Sequence, residues 1–221
     1  MSNPSSPAIK TPFGWTFAQH VLRVLLRLLV KLDVQGLEHM PDHGPAIITP
    51  NHIGWLDVVL MPAFSKVPPV TFAAEKWGRA PLVNHLFRHF GQAIFVERGA
   101  PDKRALKAAM EVLKQGGVLG LAPEGTRSHD GILRKGHDGA AWLASRTDAT
   151  IIPIAMWGHE NVIRGHWLRL RRPEVHFHVG EPYKLPPEAR KARSREMKVY
   201  TEMIMRRIAA MLPPERRGYY A

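Results

Sequence analysis

The chain has 221 residues and no cysteine, and its 31 Lys and Arg residues outnumber its 19 Asp and Glu residues to give a net charge of +12. This length fits one domain with a sizeable core, and an apolar share of 45% excludes a disordered chain. The absence of cysteine excludes disulfides, zinc-thiolate sites and a thiol nucleophile, and it is compatible with a reducing compartment. The net charge is +4 over residues 1–32, zero over 33–163 and +8 over 164–221. Basic ends around a neutral body favour an anionic partner, either a phospholipid surface or nucleic acid.

Residues 12–32 are predicted to form an amphipathic helix, preceded by a Ser- and Pro-rich disordered tail over residues 1–11. Arg23, Arg27 and Lys31 recur every four residues and form one basic stripe, while apolar side chains cover most of the remaining surface. Arginine near the centre of a bilayer costs at least ~2.5 kcal/mol, so a helix lying in the membrane interface is favoured over a spanning one. Packing of this helix on the domain is the alternative. The residues predicted to bind the membrane are Trp15, Phe17, Arg23, Arg27 and Lys31.

Residues 33–212 alternate short apolar runs with helical stretches, a pattern typical of an α/β domain. We expect a single domain with a mostly parallel central sheet covered by helices, followed by a C-terminal tail over residues 213–221. The functional site of such a domain lies beyond the carboxyl ends of the strands. The predicted strands are Ala46–Thr49, Val70–Ala73, Ala93–Glu97, Val118–Leu121, Ile151–Met156 and Val175–Val179. The predicted helices are Leu56–Phe64, Pro81–Phe90, Asp102–Gln115, Asp138–Arg146 and Pro187–Met211.

His52 and Asp57 follow the first predicted strand of this domain. A carboxylate that accepts a hydrogen bond from one ring nitrogen fixes the tautomer of an imidazole and leaves the other nitrogen to take a proton. Five residues along a regular helix correspond to about 140° of rotation, so the two side chains can meet only if His52 lies in the loop or at the helix start. Taken alone, a His and an Asp at this spacing are weak evidence, and a capping or packing role for His52 is the alternative.

Residues 123–128, with the sequence Pro-Glu-Gly-Thr-Arg-Ser, follow a second predicted strand and have the composition of a phosphate-binding loop. A glycine lets the backbone approach an anion, and the guanidinium of Arg127 can bind it through two hydrogen bonds. Arg98 lies just past another predicted strand and could reach the same anion. The alternative interpretation is an ordinary glycine turn with an exposed arginine, and a solvated surface base at Arg98.

His176 and His178 alternate on one face of a predicted strand, but no third ligand is evident, so they are interpreted as structural. The chain also lacks the serine nucleophile elbow, the P-loop, the HExxH zinc motif and the dinucleotide-binding glycine motif. Without a cysteine or a serine elbow, a covalent intermediate on the protein is disfavoured. A histidine base that acts directly on a substrate hydroxyl is the simpler scheme.

In chain order these elements resemble the motifs of the glycerolipid (lysophospholipid) acyltransferase family. The family's N-H-x-x-x-x-D motif is matched at residues 51–57, and its P-E-G-T-R motif is matched at residues 123–127. Two weaker motifs are matched by Gly91 with the Phe-x-x-Arg of residues 95–98, and by the Ile-Pro-Ile of residues 152–154. The N-H-x-x-x-x-D and P-E-G-T-R motifs, in this order and spacing, are specific.

The resemblance covers residues 34–180 approximately, and it implies transfer of a fatty acyl group from acyl-CoA or an acyl-carrier-protein thioester to the free hydroxyl of 1-acyl-glycerol-3-phosphate, giving phosphatidic acid. His52 would be the general base and Asp57 its partner, and no metal or cofactor is implied because the thioester is already activated. The chain departs from the family at Gly54, where Ser is frequent, and at Ala122, where an aromatic residue is frequent. The residues implied to bind the substrate are Asn51, Arg98, Glu124, Gly125, Thr126 and Arg127.

The partners implied by the resemblance are a phospholipid membrane surface, lysophosphatidic acid and the acyl donor, with no nucleic acid. The implied location is the cytoplasmic face of the cell membrane, with peripheral or monotopic attachment. The motifs do not separate lysophosphatidic acid from another lysophospholipid or an amino-acid lipid as acceptor. A nucleic-acid-binding protein using residues 164–221 is an alternative of another class, although this basic stretch lacks the interleaved aromatic residues of a stacking platform. A non-catalytic membrane-binding scaffold is a further alternative, but a scaffold has no need to keep both main motifs intact.

Overall fold

A seven-stranded sheet organises the residues that the computed structural model describes, which are 14–74, 92–96, 103–160 and 172–221. The strand order is β1-β7-β6-β2-β5-β3-β4, and every neighbouring pair is parallel except β6 and β7, which confirms the prediction of a mostly parallel α/β sheet. The strands are β1 Lys31–Gln35, β2 Ala46–Pro50, β3 Val70–Ala74, β4 Gln92–Val96, β5 Val118–Gly120, β6 Thr150–Trp157 and β7 Glu174–Val179.

Helices cover both faces of this sheet within the described residues. The predicted helix Pro81–Phe90 and the predicted tail over residues 1–11 lie outside the described residues. No helix among the described residues combines the length and the apolar character needed to cross a membrane.

The α-helices are α1 Trp15–Leu29, α2 Asp57–Phe64, α3 Lys103–Lys114, α4 Gly139–Thr147 and α5 Ser194–Met211. The 3₁₀ helices are Leu37–His39, Pro187–Lys191, Pro214–Arg216 and Gly218–Tyr220.

Two apolar clusters fill the space between the sheet and its helices. On one face, Ile47 and Leu119 pack with residues of α3, α4 and α5, and on the other face, Ile48 and Val118 pack with residues of α1 and α2. Successive residues of one strand point to opposite faces, so both faces of β2 and β5 are apolar. A continuous apolar run is therefore required for a strand that is covered on both sides.

The order of the strands brings three loops to one edge of the sheet. Strand β2 lies between β5 and β6 and is parallel to both, so all three strands end at the same edge. The segments that follow them begin at Asn51, Leu121 and Gly158. Any functional side chains in these three segments are consequently brought close together.

Helix α1 packs on the domain through Gln19, Arg23 and the buried Leu26. Gln19 donates from Nε2 to the carbonyl oxygens of Pro62 (2.8 Å) and Ser65 (2.5 Å), and Arg23 donates from Nε to the carbonyl oxygen of Ala63 (2.6 Å). These carbonyl groups belong to the C-terminal end of α2, where a helix has no N–H groups of its own to bond them. The polar side chains of α1 thus satisfy backbone acceptors of α2.

In this orientation Trp15 and Arg23, two of the residues predicted to bind the membrane, lie against the domain. Trp15 is only 3% exposed, and Arg23 is held by the backbone of α2. The outward side of α1 is apolar instead, with Phe17 74% and Leu28 67% exposed. The exposed members of the predicted membrane-binding set are Phe17, Arg27 and Lys31.

Strand β1 occupies the end of the predicted N-terminal helix, which corrects the boundary expected at residue 32. Lys31 donates its backbone N–H to the carbonyl oxygen of Pro173 (2.8 Å), and the strand then pairs in parallel with β7. Only Leu32 and Val34 are apolar in this strand, so its local pattern is weak. The pairing with a strand much later in the chain decides the structure here.

Residues 213–221 fold back on the domain, which corrects the expectation of a C-terminal tail. The carbonyl oxygen of Arg216 accepts the N–H of Leu133 (2.9 Å), and the hydroxyl of Tyr220 accepts the N–H of Gly136 (2.9 Å). These bonds hold the segment that directly follows the Pro-Glu-Gly-Thr-Arg loop. The C-terminal residues are therefore part of the domain.

The predicted helix Pro187–Met211 is divided into a 3₁₀ helix and α5. The backbone of Arg193 is extended (φ −89°, ψ 172°), which interrupts the helix. The carboxylate of Glu196 accepts the N–H of Arg193 (2.8 Å) and caps the start of α5. The local capping bond decides where the long helix begins.

Candidate active site

His52 lies in the loop after β2, and Asp57 is the first residue of α2. The ring Nδ1 of His52 is 2.6 Å from Oδ2 of Asp57. The same carboxylate oxygen accepts the backbone N–H groups of Ile53 (3.0 Å) and Gly54 (3.1 Å). The pair meets because His52 precedes the helix, which is the condition that the five-residue spacing requires.

Asp57 is buried, and it is ionised at neutral pH. Burial by itself raises the pKa of this carboxyl group, but hydrogen bonds from His159 and His52 outweigh it and lower the pKa to about 2. An ionised carboxylate can only accept, so Nδ1 of His52 carries the proton in its hydrogen bond to Asp57.

Arg127 fixes the same tautomer from the other side of the ring. Its Nε–H group donates towards Nε2 of His52, with a distance of 3.4 Å between the two nitrogens. Nε2 can accept this hydrogen bond only if it carries a lone pair and no proton. A general base takes a proton with such a lone pair. His52 is thus presented with its basic nitrogen directed at the Pro-Glu-Gly-Thr-Arg loop.

His159 completes the surroundings of Asp57 and was not predicted from the sequence. It follows β6, it is buried, and its Nε2 bonds to Oδ1 of Asp57, the oxygen that His52 does not use. A Cβ at Gly54 would lie 3.1 Å from Cδ2 of His159, so the glycine leaves room for this ring. The signal that could have identified His159 is its position just beyond the carboxyl end of a predicted strand.

Glu124 joins the two loops of the site through its carboxylate. Its Oε1 accepts the backbone N–H of His52 (2.8 Å), and its Oε2 accepts the backbone N–H of Arg134 (2.7 Å). The backbone N–H of Ser128 adds a bond of 2.7 Å to the carbonyl oxygen of His52. Burial raises the pKa of Glu124 to about 7, although the hydrogen bonds from the backbone of His52 and Arg134 act to lower it. The negative charge of this carboxylate is therefore unfavourable in free energy, and its hydrogen bonds stay within the segments that it joins.

Asn51 links β2 to the end of β6. Its Nδ2 donates to the carbonyl oxygen of Met156 (2.8 Å), and its Oδ1 accepts the N–H of Met156 (2.7 Å). Both polar atoms of this buried side chain therefore have backbone partners. The pair of bonds ties the loop that carries His52 to β6, the strand that His159 follows.

The remaining predicted substrate-binding residues differ in how the structure describes them. Gly125 and Thr126 are exposed beside Arg127, and Gly125 has a φ of +65°, which a glycine adopts without strain. Arg98 and Gly91 lie outside the described residues. The described part of the site therefore contains one arginine facing the base, with an exposed glycine and threonine next to it.

Comparisons with known proteins agree with the motifs. A family model described as acyltransferase matches residues 31–157. The 1-acyl-sn-glycerol-3-phosphate acyltransferase of Borreliella burgdorferi is 31% identical over 152 residues, which are 68% of this chain, and the chain spans only 60% of that protein. The protein of the same name from Bacillus subtilis is 25% identical over 197 residues, which cover 88% of this chain and 94% of that protein.

A solved structure has the same architecture. The crystal structure of the 1-acyl-sn-glycerophosphate acyltransferase PlsC from Thermotoga maritima superposes with a TM-score of 0.67 at 25% identity, covering 86% of this chain and 76% of that one. The match of the family model extends over more than half of this chain. The chain therefore belongs to the acyltransferase family, and the resemblance to glycerolipid acyltransferases that its motifs predict is confirmed.

Proposed function

We propose that this protein transfers a fatty acyl group from an acyl thioester to the free hydroxyl of 1-acyl-glycerol-3-phosphate, giving phosphatidic acid. The observation that carries the proposal is the hydrogen bond from His52 Nδ1 to Asp57, which leaves the basic Nε2 facing Arg127. The relatives from Borreliella burgdorferi and Bacillus subtilis are named for acyl transfer to 1-acyl-sn-glycerol-3-phosphate, and this supports the choice of acceptor.

His52 acts as the general base in this proposal. Its Nε2 takes the proton of the acceptor hydroxyl while the hydroxyl oxygen attacks the carbonyl carbon of the thioester. Collapse of the tetrahedral intermediate breaks the carbon–sulfur bond, and the leaving thiolate takes the proton from Nε2. The products are an ester and a free thiol, and Asp57 stabilises the imidazolium that forms between the two proton transfers.

Arg127 is proposed to bind the phosphate of the acceptor. Among the described residues it has no carboxylate partner, and its guanidinium lies against Nε2 of His52. A phosphate bound there brings the neighbouring hydroxyl of the glycerol close to the base and offsets the repulsion between the guanidinium and the imidazolium. Thr126, exposed beside Arg127, would add its hydroxyl as a further donor.

Asn51 and Glu124 are proposed to position the site and not to touch the acceptor. The hydrogen bonds of both side chains are to backbone groups, and both side chains are buried. Their contribution is to hold the loop of His52 against β6 and against the segment after Arg127. This assignment revises the substrate-binding role that the resemblance implied for them.

Replacing Arg127 by alanine should raise the KM for lysophosphatidic acid about 10- to 100-fold, because a charge-assisted hydrogen bond contributes roughly 1.5–3 kcal/mol. The KM for the acyl donor should change little. Steady-state kinetics with each substrate varied in turn measure both constants. The matched control is Arg134→Ala, since the Arg134 side chain is exposed and paired with Asp130. A rise confined to the KM of the donor would contradict the phosphate-binding role.

A panel of substrates tests the proposed function as a whole. Purified protein is supplied with lysophosphatidic acid, other lysophospholipids and an amino-acid lipid, each with acyl-CoA and with acyl-carrier protein, and the products are identified by lipid mass. Phosphatidic acid should be the main product with at least one donor. Preferential acylation of a different acceptor would refute the assignment of lysophosphatidic acid, and the absence of any acylated product would refute the acyltransferase activity.

The apolar side of α1 is proposed to rest on a phospholipid surface, at the cytoplasmic face of the membrane. Phe17, Leu25 and Leu28 are exposed on this side, and Arg27 is exposed near the end of the helix, where it could pair with lipid phosphates. Helix α2 packs against α1 and also exposes an apolar side chain, Val58, next to Asp57. A lipid acceptor could then pass from the surface to the base without crossing bulk water.

Replacing Leu25 and Leu28 together by glutamate should lower binding to anionic vesicles at least tenfold, because each leucine loses about 1.5–3 kcal/mol of apolar burial. Both side chains are exposed, so the thermal stability of the fold should be kept. Co-sedimentation with vesicles at several salt concentrations measures the change. The matched control is Val199→Glu, a residue 63% exposed on α5, which packs on the opposite face of the sheet. Equal vesicle binding by the double variant and the control would contradict the proposed surface.

A further inference from the structure

A second cluster of histidines and a carboxylate lies where β1 pairs with β7, and it shares no residue with the His52 site. His176 and His178 are two residues apart on β7, so both side chains stand on the same face. Asp33 on β1 is the register partner of His176 and the diagonal neighbour of His178. The carboxylate of Asp33, on the neighbouring strand, is therefore the third possible ligand that the sequence pattern did not show.

The three side chains converge on one point. Nδ1 of His176 and Nε2 of His178 each lie 2.8 Å from the same oxygen, Oδ2 of Asp33. These hydrogen bonds hold the pKa of Asp33 well below its usual range, so the carboxylate is an anion at any physiological pH. One nitrogen of each ring and one carboxylate oxygen all lie within 4.8 Å of one another.

Neighbouring side chains fix the orientation of all three groups. The ring of Trp157 stacks on His176 with 4.4 Å between centroids and 7° between planes, and it meets His178 edge-on at 4.6 Å. Gln35 donates from Nε2 to Oδ1 of Asp33 (3.0 Å). Such outer contacts set the direction of a metal-binding histidine or carboxylate before the ion arrives.

We propose that Asp33, His176 and His178 bind a divalent transition-metal ion, with Zn²⁺ as the expected ion. Two imidazole nitrogens and one carboxylate oxygen are ligands that Zn²⁺ takes at about 2.0–2.2 Å, with a water in the fourth position of the tetrahedron. Ligand atoms of such a tetrahedron are roughly 3.3 Å apart, so each 2.8 Å contact needs to open by only about 0.5 Å. All three side chains are partly exposed, which leaves a path for the ion and for its water.

The proposed site is structural in its effect. It joins β1, the edge strand that directly follows α1, to β7 through side chains as well as backbone bonds. A bound ion would replace two hydrogen bonds to one carboxylate with bonds from all three groups to a single centre. The attachment of α1 to the sheet should become more stable as a result.

The test uses the full chain without a polyhistidine tag, titrated with Zn²⁺ by calorimetry and with Co²⁺ by visible absorption. One ion should bind per chain, and Co²⁺ should give the intense absorption of a four-coordinate site. At free Zn²⁺ about 100 times Kd, the Tm should rise by about 5 °C or more. Failure of the unaltered protein to bind one equivalent of either ion overturns the proposal without recourse to any variant.

Variants locate the bound ion. His176→Ala, His178→Ala and Asp33→Asn should each abolish the stoichiometric binding and the rise in Tm. The matched control is His43→Ala, because His43 forms an exposed pair with Asp42 and would account for adventitious binding by a histidine and a carboxylate. Binding that survives in His176→Ala, or that is lost in His43→Ala, overturns the assignment.

Discussion

The His52→Ala variant is expected to lose acyl transfer, with kcat reduced about 10²- to 10⁴-fold, because alanine cannot take the proton of the acceptor hydroxyl. The backbone N–H of residue 52 would still donate to Glu124, so the loop should keep its place. The rate of product formation from lysophosphatidic acid and an acyl thioester measures the effect. Thermal unfolding and vesicle binding should stay close to those of the unaltered protein.

The matched control for this variant is His129→Ala, an exposed histidine that lies two residues after Arg127. It should retain full activity, since the structure gives it no contact with the base or with Asp57. Equal turnover by His52→Ala and the unaltered protein would remove His52 from the mechanism. If His52→Ala loses both turnover and folding, His52→Gln separates the two effects, because glutamine keeps a donor towards Asp57 but has no basic nitrogen. A folded but inactive His52→Gln variant would support the role of His52 as the base.

The Asp57→Asn variant is expected to lower kcat by roughly 10³- to 10⁴-fold. Asp57 accepts hydrogen bonds from the His52 ring, the His159 ring and two backbone N–H groups. An asparagine has only one accepting oxygen, so its amide must face one of the two rings with a donor. The backbone N–H groups of Ile53 and Gly54 keep the accepting oxygen on the side of His52, so the amide faces His159. The imidazolium of His52 then loses the negative charge that stabilises it.

His159 allows the positioning role of Asp57 to be tested separately. His159→Leu removes the donor to Oδ1 while filling similar space, and kcat should fall about 10- to 100-fold because a hydrogen bond to a charged group contributes roughly 1.5–3 kcal/mol. His159→Gln restores a donor and should recover activity to within about tenfold of the unaltered protein. The pH profile of kcat and the thermal stability are measured alongside. Equal kcat for the leucine and glutamine variants would show that His159 only fills space.

Some features could be predicted because they depend on neighbours in the sequence. The strands β2, β5 and β6 are continuous apolar runs, and the helix α3 has apolar residues at helical spacing, so their local patterns match their final structures. The His52–Asp57 pair follows from the same kind of argument, because a loop directly before a helix brings the two side chains together. Short-range geometry alone is sufficient in these cases.

Other features could not be predicted because their partners are distant in the chain. The amphipathic pattern of α1 is equally compatible with Gln19 and Arg23 facing lipid phosphates and with these two residues facing the domain. The carbonyl groups at the end of α2 decide between them, because they accept hydrogen bonds from both side chains. Strand β1 has too few apolar residues to be recognised without β7. In each case the deciding energy comes from a tertiary contact that has no trace in the local sequence.

The sequence by itself determined the α/β class, the family and the two loops that carry His52 and Arg127, because strand and turn patterns and the motif residues are local. Only the tertiary structure decided that His159 shares Asp57 with His52, that Glu124 and Asn51 bond to backbone groups, and that α1 turns its apolar side outward. It also brought Asp33 to His176 and His178. The physical reason is the same throughout. A parallel sheet places residues from separate parts of the chain at one edge, and the order of its strands cannot be predicted from the sequence of any single segment.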